Sequence, residues 1–233
     1  MKLKHLTMLA GIMLPAVASA ATINVDFGRT ISTGNINNIA TADILENTTD
    51  SIADLIDTTG ASTGITVTVD PGTGNVGTYE NTIGNAHNGP YASAVTTALG
   101  VSDADILGDG INVIFANSPT ITLSNLDANF TYEVTIYNAR GAGTTGSWNY
   151  DVTDASGSQD ITDAEILDND EVTTFSNLTA DVNGEISLVL SKVGEARGGI
   201  NFMQITSTPV PEPSSALLIG LAGGLSLLRR KRI

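Results

Sequence analysis

Few residues in this 233-residue chain could do chemistry. There is no cysteine, and of the two histidines one, His5, sits in the basic start of the chain. His87 is therefore the one imidazole of the main body. A serine–histidine–aspartate triad would need His87 as its base. It lies in Asn85-Ala86-His87-Asn88-Gly89-Pro90-Tyr91, a loop composition and not a nucleophile elbow. A zinc site would lack both a second imidazole and any thiolate. Two carboxylates at glycosidase separation would arise by chance among so many acids, and a single Trp gives such an enzyme little to hold sugar with. No residue is assigned a catalytic role, and the chain reads as a non-enzyme.

Binding chemistry is better represented. Asp103, Asp105 and Asp109 bring oxygen ligands together in a loop. So do Asp163 to Glu165 with Asp168-Asn169-Asp170-Glu171. Calcium is the cation such groups suit, since hard cations take six to eight oxygens. Neither run has EF-hand spacing, and solvated loop carboxylates are the plainer reading. Trp148 and Tyr150 share one side of an alternating run and could offer ring faces to a sugar. Asn138 and Arg140 precede them and could bond to its hydroxyls. The competing reading is that Trp148, Tyr150 and Val152 fill a core.

These residues need strands to position them. Ile23, Val25 and Phe27 alternate with Asn24 and Asp26, and Ile65, Val67 and Val69 with Thr66 and Thr68. Ile111, Val113 and Phe115 continue the period of two, as do Phe130, Tyr132, Val134 and Ile136. Ile186, Leu188 and Leu190 follow a turn at Asn183-Gly184, and a last strand falls near 199–206. Alternation over short runs between Gly, Asn and Asp clusters is the mark of half-buried strands. The expectation is an all-β fold, a single antiparallel β-sandwich of jelly-roll type over 21–208. Ser51–Asp57 and Tyr91–Leu99 are read as helical turns. Two segments are faintly alike, Leu123-Ser124-Asn125-Leu126 and Phe175-Ser176-Asn177-Leu178, too few for a repeat array.

Charge narrows the partners. Residues 21–208 hold four basic residues against 24 acidic ones, a net charge of −20. Nucleic acid and anionic membranes are poor partners for such a surface, and self-repulsion favours solubility.

The two ends carry addresses. Lys2, Lys4 and His5 precede a largely apolar stretch from Leu6 to Val17. Ala18-Ser19-Ala20 is then a small-residue box before Ala21. This is a secretory signal peptide over 1–20, with signal peptidase cleaving between Ala20 and Ala21. No Cys follows the box, so a lipoprotein is excluded. At the other end, over 209–233, Val210, Pro211, Glu212 and Pro213 precede an apolar run containing Ala216, Leu217, Leu218, Ile219, Leu221, Leu225, Leu227 and Leu228. Arg229, Arg230, Lys231 and Arg232 close it. The 15 residues from Ser214 to Leu228 would make a helix roughly 22 Å long, a short transmembrane helix whose terminal cations snorkel to the headgroups. Those cations should remain on the cytoplasmic side, leaving the bulk of the chain outside. The two prolines keep their motif extended, as a protease substrate must be.

In its order of elements the tail resembles the PEP-CTERM sorting domain of Gram-negative bacteria. The matching residues are Pro211, Glu212 and Pro213, the span Ala216–Leu228, and Arg229 to Arg232. The resemblance implies recognition by an exosortase, transient residence in the inner membrane, and delivery to the envelope or extracellular matrix. The stretch Leu123 to Val134 resembles the tyrosine-corner entry of fibronectin-III and related sandwiches, with Tyr132 anchoring a turn by its hydroxyl. Ile23-Asn24-Val25-Asp26-Phe27-Gly28 and Tyr137-Asn138-Ala139-Arg140 resemble secreted galactose-binding-like jelly rolls. That resemblance implies a surface polysaccharide as partner. The resulting expectation is a structural or adhesive protein of a polysaccharide layer, or alternatively a carbohydrate-binding module without catalysis.

Overall fold

The computed structural model describes residues 19–27, 34–39, 49–70, 72, 76–79, 99–100, 110–113, 118–137, 147–165, 172–193 and 198–210. Every element among them is a strand. In chain order these are β1 (Ala21–Asp26), β2 (Asn37–Asn38), β3 (Asp50–Ile52), β4 (Thr66–Asp70), β5 (Val76–Tyr79), β6 (Gly110–Val113) and β7 (Thr120–Ser124). They continue as β8 (Phe130–Tyr137), β9 (Ser147–Asp154), β10 (Gly157–Glu165), β11 (Val172–Leu178), β12 (Ile186–Val193), β13 (Gly198–Ile200) and β14 (Phe202–Pro209).

Two sheets form the sandwich. One has five strands in the order β11-β8-β14-β1-β2, the other six in the order β10-β9-β12-β7-β4-β3. Pairing is antiparallel except between β1 and β2. The inward rows expected from alternation meet here. Ile23, Val25, Val134, Ile136 and Ile205 of one sheet share a core with Val67, Ile121, Val152, Leu188 and Leu190 of the other. A full transfer of such side chains from water is worth about 1.5–3 kcal/mol each, so this shared interior is what binds the sheets. The expected β-sandwich is thus observed.

Three features differ from the sequence reading. There is also a third sheet of order β13-β6-β5, built from three short strands far apart in the chain. The strand β1 does not alternate buried and wet: Asn24 and Asp26 are buried as well as Ile23 and Val25. The reason is a cover on its outer side, where Gln204 Nε2 donates to Asn24 Oδ1 at 3.0 Å and to the Leu99 carbonyl at 2.8 Å. Residues 51–57 do not form a helical turn. They leave β3 and bend at Asp54, whose φ of 57° breaks any helix. Of the expected turn Tyr91–Leu99, all but Leu99 lies outside the described residues, and Leu99 is buried.

The tyrosine corner is present. Tyr132 Oη accepts from the Asp127 N–H at 2.8 Å and donates to the Asp127 carbonyl at 3.1 Å. The ring is buried, so one side chain pins the turn that carries β7 into β8. Burial raises the Tyr132 phenol above its ordinary value, as does the nearby Asp127 charge, while the bond from the Asp127 backbone opposes both. The two faintly similar segments turn out to share a backbone device. Asn125 and Asn177 have φ of 60° and 59°, and each is followed by a buried leucine, Leu126 or Leu178. Asn tolerates the left-handed region better than other non-glycine residues.

Asp154 ties the turn between β9 and β10 to the segment that follows β11. Its carboxylate accepts from Ser156 N (2.8 Å), Ser156 Oγ (2.6 Å), Thr179 N (2.9 Å) and Thr179 Oγ1 (3.4 Å). Burial pushes its pKa up, but the bonds from Ser156 and Thr179 outweigh that and hold the carboxyl below its ordinary range.

Candidate functional site

The chain builds one notable concavity from the described residues, at the end of the sandwich near the start of β1. Three segments converge there. The loop 53–65 is the first. Asn37 holds it against β1, its Nδ2 donating to the Asn24 and Ile56 carbonyls at 2.9 Å while its Oδ1 accepts from Ile56 N at 2.9 Å. The Thr58 N–H reaches the Thr22 carbonyl at 2.8 Å, which docks the loop on the first turn of the strand. The second segment is the tyrosine corner, bringing Asn125, Asp127 and Phe130. The third is the row Ala21–Ser207–Tyr132 across β1, β14 and β8.

Together they enclose a cleft of about 320 Å³. Its wall includes Asp57, Ser62, Asn125, Asp127, Phe130 and Tyr132. The Phe130 and Tyr132 rings lie 6.4 Å apart, tilted by 32°. Phe130 is partly buried against the core and partly open. Asp57 Oδ1 accepts from Thr59 Oγ1 at 2.6 Å, Thr59 N at 2.8 Å and Ala61 N at 2.9 Å. The Thr59 hydroxyl, with the Ala61 N–H, holds this carboxyl below its ordinary value, so it is charged at neutral pH. Asp54 is lowered in the same way by the Ser62 hydroxyl and the Gly64 N–H. Asp127 Oδ1 accepts from Asn129 N and Nδ2, each at 2.9 Å. In Asp57 and Asp127 alike these bonds end on Oδ1.

The arrangement is therefore a set of preorganised acceptors beside one aromatic edge. It suits a small polyhydroxylated group, which donates to carboxylates and packs its apolar face on a ring. Ser19 and Ala20 also line it. Both precede the expected cleavage point, so signal removal between Ala20 and Ala21 would take away part of the wall.

None of these cleft residues was among the sugar contacts expected from sequence. Tyr150 is a correction. It is 2 % exposed and belongs to the core between the sheets. A ring so buried has no face to give a sugar, and the core reading of that residue is the one its burial supports. Trp148 lies in β9, paired with Lys192 and Ala164, and its side chain is outside the described ones. Asn138, Arg140 and His87 lie outside the described residues. So do Asp103, Asp105 and Asp109, and the acidic run at 168–171. Among the described residues no three His, Cys, Asp or Glu side chains cluster as a metal site would need.

The ends are placed only at their inner margins. Ala21 opens β1, with its N–H 3.3 Å from Ser207 Oγ. Ala20 is exposed, and Ala18 lies outside the described residues. Val210 is 45 % exposed and its N–H donates to the Asn129 carbonyl at 2.8 Å. Pro211, Glu212, Pro213, the apolar run and the basic cluster lie outside the described residues. Among the described residues no helix is long and apolar enough to cross a membrane.

No family model matches the chain. No curated protein matches it either. Among solved structures, TmCBM61 in complex with beta-1,4-galactotriose is similar to it at 19 % identity over 60 % of this chain and 86 % of that one, with a TM-score of 0.34. At that score the likeness assigns neither a site nor a ligand to this chain.

Proposed function

We propose that the chain is an exported cell-surface protein, sorted by an exosortase at Pro211-Glu212-Pro213, whose sandwich is a structural or adhesive element of a surface polysaccharide layer. Signal peptidase and the exosortase act on its two ends, and the inner membrane holds it only in transit. The tripartite tail supports the sorting half of this reading. The adhesive half rests on one observation, the cleft in which Asp57, Asn125 and Asp127 gather around the Phe130 edge. Its acceptors and its ring are complementary to a sugar residue and hostile to an anion. The same cleft favours the narrower second reading, a dedicated carbohydrate-binding module without catalysis.

The test is affinity for polysaccharide purified from the producing cells' own surface layer. The pair Phe130→Leu and Asn125→Gly removes the ring and the amide, while Leu keeps the apolar contact and Gly accepts the left-handed backbone. Each site interaction lost is worth about 0.5–1.5 kcal/mol. The double variant should therefore bind at least about fivefold more weakly with an unchanged melting point. Equal binding by the double variant would remove the cleft from the account, and no binding by the parent protein would remove the adhesive role.

A further inference from the structure

The outward side of the six-stranded sheet carries a pattern that the cleft does not use. Its strands are in register such that Ser51 pairs with Thr68, Thr68 with Thr122, Thr122 with Ser187, Ser187 with Thr153 and Thr153 with Ser158. This is an unbroken row of side-chain hydroxyls, one from every strand of the sheet from edge to edge. On β4, β7 and β12 the neighbours that face the other way are core: Val67 and Val69, Ile121 and Leu123, Ile186 and Leu188 are buried. The hydroxyl bearers are all exposed or partly exposed. Thr153 and Ser158 bond to each other at 3.2 Å. Among the described residues no hydrogen bond engages the hydroxyls of Ser51, Thr68, Thr122 or Ser187. At about 4.8 Å between strands the row is about 24 Å long.

The next row along the strands is Asp70, Thr120, Val189, Asp151 and Asp160. It sets negative charge beside the hydroxyls. Asp151 and Asp160 face each other directly across β9 and β10.

We infer that this face is a binding platform for an extended neutral polysaccharide chain, laid across the strands along the hydroxyl row. The inference rests on the adhesive reading above and names the part of the ligand that the cleft is too small to hold. Three properties select this occupant. A hydroxyl is both donor and acceptor, as is each hydroxyl of a sugar, so neither partner needs a fixed polarity. The repeat between strands, about 4.8 Å, is close to the length one sugar unit adds to an extended chain, so each unit can reach a hydroxyl of the row. The carboxylate row and the overall net charge of −20 over 21–208 repel polyanions. The row carries no ring, so each contact is weak and affinity must come from many of them in line.

The experiment is pull-down of the mature protein on cellulose, a neutral β-1,4-glucan, with alginate as the anionic comparison. Three proteins are compared with the parent. One carries Thr68→Val, Thr122→Val and Thr153→Val, which keep shape and strand preference but delete the hydroxyls. A second, Thr122→Lys, sets a long side chain in the middle of the row and guards against a folding artefact in the first. The third is the cleft pair Phe130→Leu and Asn125→Gly. The expected result is binding of the parent to cellulose and not to alginate, at least about fivefold weaker for both row variants, with a smaller loss for the cleft pair. Unchanged binding by both row variants would overturn the platform. Loss confined to the cleft pair would overturn it too, while leaving the adhesive reading standing. Equal binding to alginate, or no binding of the parent to cellulose, would contradict the neutral-chain assignment.

Discussion

At the residue scale, single side chains decide how the ends of this sandwich are closed. Tyr132 makes two bonds to one residue, Asp127, from a buried ring. Replacing it by Phe leaves both Asp127 groups without that partner, and Tyr132→Phe should cost about 1–2 kcal/mol in urea unfolding. This device was legible in the sequence, because a Leu, a turn and a Tyr at fixed spacing announce it. Two carboxyls on β9 should respond to pH in opposite senses. Asp154 is held low by its partners Ser156 and Thr179, against the effect of burial. Its stabilisation is present above the ordinary value of 3.8 and is lost as pH falls through its lowered folded value. Asp151 is raised, first by desolvation and then by Asp160 across the ladder. Its charge costs stability above that raised value, and the cost vanishes in acid once it is protonated. Asp151→Asn should therefore melt higher than the parent at neutral pH, with the difference shrinking towards pH 4. Thermal melts across that range check it, and a variant that melts lower at pH 7 would contradict the sign. The facing of Asp151 on Asp160 was not legible beforehand, since nothing local in either strand specifies their register.

At the element scale, the alternating strands were readable because one face of each is core. The reading failed where that premise fails. Asn24 and Asp26 looked like the wet side of β1, yet Gln204 and the Leu99 carbonyl close over that side. A cover supplied from elsewhere in the chain leaves no trace in a local period of two. The third sheet escaped for a related reason, since β5, β6 and β13 come from distant, glycine-containing segments that pair only after the chain is folded. The helical spacing read into 51–57 was overridden by Asp54, whose carboxylate accepts from the Gly64 N–H and the Ser62 hydroxyl and fixes a bend instead. Asn125 and Asn177 place the same left-handed residue at the exit of β7 and within β11. Asn177→Ala should destabilise by about 1 kcal/mol, and Asn177→Gly by less, because Gly reaches that conformation without a Cβ clash. Chemical denaturation of the two variants compares them directly. Equal losses would show that the side chain, not the backbone, matters there.

At the scale of the whole molecule, the proposed export and the proposed adhesion form one account. It joins a body of net charge −20, whose self-repulsion favours solubility, to two basic, apolar ends. The body then presents a small acceptor-rich cleft at one end and a hydroxyl-tiled sheet on one side. The two ends are read from sequence alone, in order and by composition, and residues 1–18 and 211–233 lie outside the described ones. The cleft was not legible there, because it forms from residues near 20, 57, 127 and 207 that meet only in the fold. The measurement that bears most directly on the account is the intact mass of the protein recovered from the native cell surface. The account predicts a chain that begins at Ala21 and ends near Pro211-Glu212-Pro213, with or without an attached group. A surface-recovered chain that still carries Ala216 to Ile233 would contradict exosortase sorting and leave a plain membrane anchor in its place.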